Sequence, residues 1–136
     1  MKKTLITIAL FVLLTSLSVN AQSFGLSPKM YKMVEKNIVY TLNHQYASIA
    51  ESAIFNLVVL KNRFPNENYD EFIDELDELS LDSDNSTTRY KAQLTSWYLK
   101  NANTFGLIEI ADKNDDANKY FNKIADKIQS NLIALN

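Results

Sequence analysis

The chain has 136 residues, 46% of them hydrophobic, a formal net charge of −2, no cysteine, one histidine, two glycines and two prolines. Without cysteine it can use no disulfide framework, thiol catalysis or zinc–thiolate site, and one histidine cannot make a two-histidine metal centre. Mild acidity gives no reason to invoke nucleic acid, and the isolated Gly25 and Gly106 cannot form a phosphate-cradling loop or a dinucleotide fingerprint, so no cofactor is expected.

The first element in chain order is a targeting segment. Lys2 and Lys3 precede an apolar run from Leu5 to Leu17, and Val19-Asn20-Ala21 puts small residues where a signal peptidase reads. The run is shorter than the ~20 residues a helix needs to span a bilayer. Thr15, Ser16, Ser18 and Asn20 also arrive where an anchor would stay apolar. Residues 1–21 therefore read as a secretory signal peptide, resembling those of bacterial secreted proteins. The exported chain is expected to start at Gln22, with no membrane span after cleavage, and to reside in the periplasm or outside the cell. Residues 22–136 are expected to form a single domain.

Ser27-Pro28 predicts a helix start, because serine can cap a free first-turn amide and proline loses no bond at the first helical position. Val34, Ile38, Leu42, Tyr46, Ile49, Ala53, Leu57, Leu60 and Phe64 then recur at steps of three or four. They occupy a sector of ~140° on a helical wheel, which predicts one long or gently kinked helix over 27–64, ended by Pro65. Any break is expected at Asn43-His44-Gln45, with Ser48 and Glu51 as a capping box for the restart. Ile54, Phe55, Val58 and Val59 widen the apolar face, so Ala53–Leu60 is expected at the centre of the domain.

A second helix is predicted over Tyr69–Leu79, burying Tyr69, Phe72, Ile73, Leu76 and Leu79. A third, over Thr88–Lys100, is expected to bury Tyr90, Leu94, Trp97 and Tyr98. Gly106 reads as a break, and residues 101–114 have no clear period. The last helix is predicted from Asn114 or Asp115, burying Ala117, Phe121, Ile124, Ile128, Leu132 and Leu135. The fold class expected is all-α, a small helical bundle or irregular αα array of four to five helices built around the N-terminal one.

Nine acidic residues lie between Glu67 and Asp84 with no basic residue among them, while elsewhere in the exported chain basic residues outnumber acidic ones. Asp70, Glu71, Asp74, Glu75, Asp77 and Glu78 are thus the candidate interaction surface, facing a protein partner with a basic surface. A solvated helix face explains the same run, since each like-charge i,i+4 pair costs only a few tenths of a kcal/mol. Asp82–Ser86 and Asp112–Asp116 imitate calcium loops, but Thr87 and Gln93, or Ala117 and Lys123, stand where such loops need glycine and glutamate. Helix capping by Ser86 and by Asn114 or Asp115 accounts for both segments without a metal. His44 falls opposite the apolar stripe and no Gly-x-Ser-x-Gly turn accompanies it, so no catalytic residue is assigned. Two functions fit: an exported, non-enzymatic protein that binds another protein or serves a structural role in the cell envelope, or a small carboxylate-dependent hydrolase or lyase. A deep pocket holding His44 and two or more acids would favour the second.

Overall fold

A computed structural model describes residues 26–109 and 116–134. The signal-peptide reading of residues 1–21, the start at Gln22, Leu135 and most of Asp112–Asp116 lie outside the described residues. Within them the fold is all-α and forms one small domain of five helices: α1 (Pro28–Leu42), α2 (Ala47–Arg63), α3 (Asp70–Asp82), α4 (Ser86–Phe105) and α5 (Ala117–Ala134). None is long and apolar enough to cross a membrane.

Ser27 caps α1 as expected, its hydroxyl accepting the Met30 amide with Pro28 in the first turn. The stripe over 27–64 is two helices, not one. The break falls at Asn43–Tyr46, where His44 Nδ1 accepts the Tyr46 amide at 3.2 Å. The expected capping box is absent: Tyr46 precedes α2 with no side-chain cap, and Glu51 turns toward α4 instead. Because the chain turns at the break, the buried sector changes phase. Tyr46 and Ile49 are exposed, and Ala50, Ala53, Ile54, Leu57, Val58 and Leu60 form the buried side of α2. The centre of this helix is where its all-round apolar character placed it.

The other helices pack by a division the aromatics did not reveal. α4 lies against α2, α3 and α5, while α1 lies against α2 and α3. The buried side of α4 is Thr88, Ala92, Thr95, Ser96, Leu99 and Ala102 with Tyr98, mostly small residues that admit neighbours closely on several sides. Tyr90 and Trp97 are left 52% and 44% exposed, contrary to expectation, because their strip is the one α4 keeps for solvent. The α3–α4 pair is an antiparallel hairpin joined by Ser83–Asn85, with Asn85 rather than Ser86 capping α4 through the Thr88 amide.

α4 kinks at Asn101 and ends at Gly106, whose φ of 71° lies in the positive range that glycine adopts without strain. Beyond it Ile108 is buried and pinned by side chains. Its amide donates to the Tyr98 hydroxyl at 3.1 Å, that hydroxyl donates to Asn62 Oδ1 at 3.2 Å, and the Asn62 amide donates to the Ile108 carbonyl. α5 buries Tyr120, Phe121, Ile124 and Ile128, but Leu132 is half exposed near its end. Lys91 lies over the Phe121 ring while Lys127 donates to the Phe105 carbonyl, so α4 and α5 run in the same direction.

Candidate functional site

The acidic helix forms where its sequence dictates. Asn68 Oδ1 accepts the Asp70 amide at 2.7 Å and starts α3, and Asp70 and Glu71 suit the positive end of the helix dipole. Phe72 and Leu76 turn to the core with Tyr69, which divides the six candidate acids into three groups. Asp77 faces α4 and belongs to the fold: Lys100 Nζ lies 2.7 Å from it and the Ser96 hydroxyl donates to it. Burial pushes its carboxyl up, but the hydrogen bonds from Lys100 and Ser96 and the lysine charge prevail and hold it below the usual carboxylate range.

Glu71 and Glu75 face α1. Glu75 Oε2 accepts from the Asn43 amide at 2.8 Å, tying α3 to the end of α1. Burial raises the Glu35 carboxyl of α1 above its ordinary value, and the neighbouring Glu71 charge raises it further. Burial likewise drives the nearby Tyr31 phenol up to about 12, with Glu35, Glu67, Glu71 and Asp70 adding to it. A carboxyl whose native pKa exceeds its unfolded one holds its proton to higher pH in the native state, so stability falls as pH rises through the native value. Glu35→Gln should therefore raise the melting temperature at neutral pH, with the gain disappearing at acid pH where Glu35 is protonated in both states. A gain independent of pH would refute this account.

Asp70, Asp74 and Glu78 make up the third group. They lie one turn apart on the outer side of α3 and are exposed. Among the described residues no cation comes within ion-pair distance of them.

The acidic helix ends at a cleft of about 340 Å³ between the α1–α2 turn, the end of α3 and the start of α4. Leu42, Ala47, Ala50 and Leu79 give it apolar walls, and His44, Glu78, Asp82 and Asp84 also line it. His44 is thus not a solvent-facing helical residue: it sits half-buried in the turn, its ring against that of Tyr46. Because its Nδ1 accepts a backbone amide, the neutral ring carries its proton on Nε2. Its one basic nitrogen is therefore already engaged. Among the described residues, no carboxylate lies within ion-pair distance of it to orient it as a base. The Arg89 guanidinium donates to the Ser83 carbonyl, supplying a cation at the negative end of α3, which has no basic residue of its own there.

No family model matches the chain, and no curated protein or solved structure is significantly similar to it.

A second cleft, about 270 Å³, lies between α2, α4 and the start of α5. Sequence reasoning missed its charged pair. Lys91 Nζ is 2.7 Å from Glu51 Oε2, Glu51 Oε1 accepts from the Thr88 hydroxyl, and Lys91 also lies 5.1 Å from the Phe121 ring centroid. The signal was available: Glu51 is three and seven residues before Ile54 and Val58, so an acid stood at the edge of a buried sector and needed a partner. Lys61, four residues after Leu57, shows the same pattern at the other end of α2. Burial lowers the pKa of its ammonium, which lies over the Tyr69 ring and donates to the Pro65 carbonyl at 2.7 Å. Both arrangements join elements of the fold. Among the described residues no group of acids and histidine is arranged to hold a metal ion.

Proposed function

We propose that the protein is an exported, non-enzymatic binding protein of the cell envelope that captures a basic protein partner on the outer face of α3. The observation that carries this reading is the line of Asp70, Asp74 and Glu78: exposed, one turn apart, and, among the described residues, with no cation within ion-pair distance. Glu71 extends the face toward α1, and the cleft adds Asp82 and Asp84 at its end. Such a field steers a positively charged surface into encounter and loses strength with salt. The targeting segment at Lys2–Ala21 supports a periplasmic or extracellular site of action.

Asp70→Asn, Asp74→Asn and Glu78→Gln together should leave the fold intact, since the removal of two like-charge i,i+4 pairs offsets the loss of Asp70 at the positive end of the helix dipole. Association with a lysine-rich peptide should be fast at low salt in the native protein and about tenfold or more slower in the triple variant. Equal association rates for the two proteins would overturn the proposal.

The cleft favours one second reading, a carboxylate-dependent hydrolase or lyase using Glu78, Asp82 or Asp84 with His44. It requires turnover of an ester, amide or glycoside model substrate that is lost in both His44→Gln and Asp82→Asn. The engaged Nδ1 of His44 weighs against it.

A further inference from the structure

The fold carries a second charged stripe, of opposite sign, beside the first. On α1, Lys29, Lys32 and Lys36 recur at steps of three and four and are exposed. Met33 and Tyr40 share their side of the helix, 50% and 71% exposed. Among the described residues no carboxylate lies within ion-pair distance of these lysines. α1 and α3 are neighbours, joined by the Tyr31 hydroxyl on the Asn68 carbonyl, the Tyr31 and Phe72 rings, and Asn43 on Glu75. Their outward strips therefore flank one seam. The basic strip spans ~10.5 Å from Lys29 to Lys36 and the acidic strip ~12 Å from Asp70 to Glu78, at 1.5 Å per helical residue. Each strip also presents exposed apolar surface: Met33 and Tyr40 on α1, and Leu81 at 78% exposure on α3.

We infer that the basic partner of the acidic face is a second copy of this chain, with α1 of each protomer laid across α3 of the other. The inference rests on the reading of α3 as a docking face and names what docks there. Two oppositely charged strips of similar length on adjacent helices are self-complementary under a two-fold rotation. Lys29, Lys32 and Lys36 of one protomer meet Asp70, Asp74 and Glu78 of its partner, and the same set forms again across the axis. The pairing also gives Met33, Tyr40 and Leu81 an apolar environment. An interface of two short helix pairs is small and charge-rich, so the dimer is reversible and sensitive to salt.

Sedimentation of the protein recovered after export tests this against two charge-swapped variants. One carries Lys29→Glu, Lys32→Glu and Lys36→Glu; the other carries Asp70→Lys, Asp74→Lys and Glu78→Lys. The native protein should dimerise at ~0.01 M ionic strength and associate about tenfold or more weakly at ~1 M, as the screening length falls from ~30 Å to ~3 Å. Each variant alone should be monomeric. An equimolar mixture of the two should form a heterodimer, because the swap restores opposite signs at both contacts, and that restoration also shows that both variants fold. A native protein that stays monomeric at low salt, variants that dimerise alone, or a mixture that stays monomeric would each overturn the inference. The lysine-rich peptide separates this failure from that of the broader reading. A monomeric protein that binds the peptide through Asp70, Asp74 and Glu78 loses only the self-pairing, whereas unchanged binding by their neutral variant removes the docking face itself.

Discussion

Leu57→Ala is expected to lower the free energy of unfolding by about 2–5 kcal/mol, a large part of the ~5–15 kcal/mol that holds a domain together. Leu57 is 0% exposed in a helix whose buried side also takes in Ala53, Ile54, Val58 and Leu60. The cost has two parts: lost transfer of the isobutyl group from water, and a cavity that packed neighbours fill only in part. Rigid surroundings move the cost toward the upper end, because α2 is held against both α1 and α4 and fastened to α4 by Glu51. Denaturant titration gives the measurement, as a lower midpoint at unchanged slope. Coincident midpoints for Leu57→Ala and the native protein would place the core elsewhere.

Tyr98 is the second position of large effect. Its ring is fully buried, and its hydroxyl closes the network with Asn62 and Ile108 that holds the segment after Gly106 against the bundle. Tyr98→Phe keeps the ring and leaves the Ile108 amide and Asn62 without that partner, at an expected cost of about 1–3 kcal/mol. Tyr98→Ala removes the ring as well and should cost about 3–5 kcal/mol or more, near the limit of what the domain tolerates. Hydrogen exchange separates the two effects. In Tyr98→Phe, protection should fall first at the Ile108 amide, while amides in the middle of α2 follow only the global loss. Unchanged protection at Ile108 would show that the hydroxyl does not fasten this segment.

The acidic face was legible as composition but not as a site. Nine acids without a basic residue mark α3 from the sequence alone, and the period of Phe72 and Leu76 fixes which side turns outward. Which acids remain available was not legible, because that depends on neighbours remote in the chain. Asp77 is taken by Lys100 and Ser96, Glu75 by Asn43, and Glu71 lies toward Glu35 of α1, leaving Asp70, Asp74 and Glu78 outward. His44 shows the same limit. Its wheel position assumed an unbroken helix, and once the chain turned at Asn43–Tyr46 that position no longer described its surroundings.

The sequence by itself determined the all-helical class, the capped start at Ser27-Pro28, the stop at Pro65 and the break at Gly106. It also marked the apolar centre of α2 and the charge of α3. These follow from local physics: which residues cap an end, which lack an amide proton, which tolerate positive φ, and which recur at the helical period. Tertiary structure alone decided that α4, with its run of small residues, would sit among α2, α3 and α5 and leave Tyr90 and Trp97 to solvent. It decided equally that Glu51 would meet Lys91, and that two strips of opposite charge would lie side by side on α1 and α3. Helical periodicity shows that a face is apolar or charged, but the element that covers it is chosen by packing among all the helices at once, where close approach by small side chains can outweigh the burial of a large one.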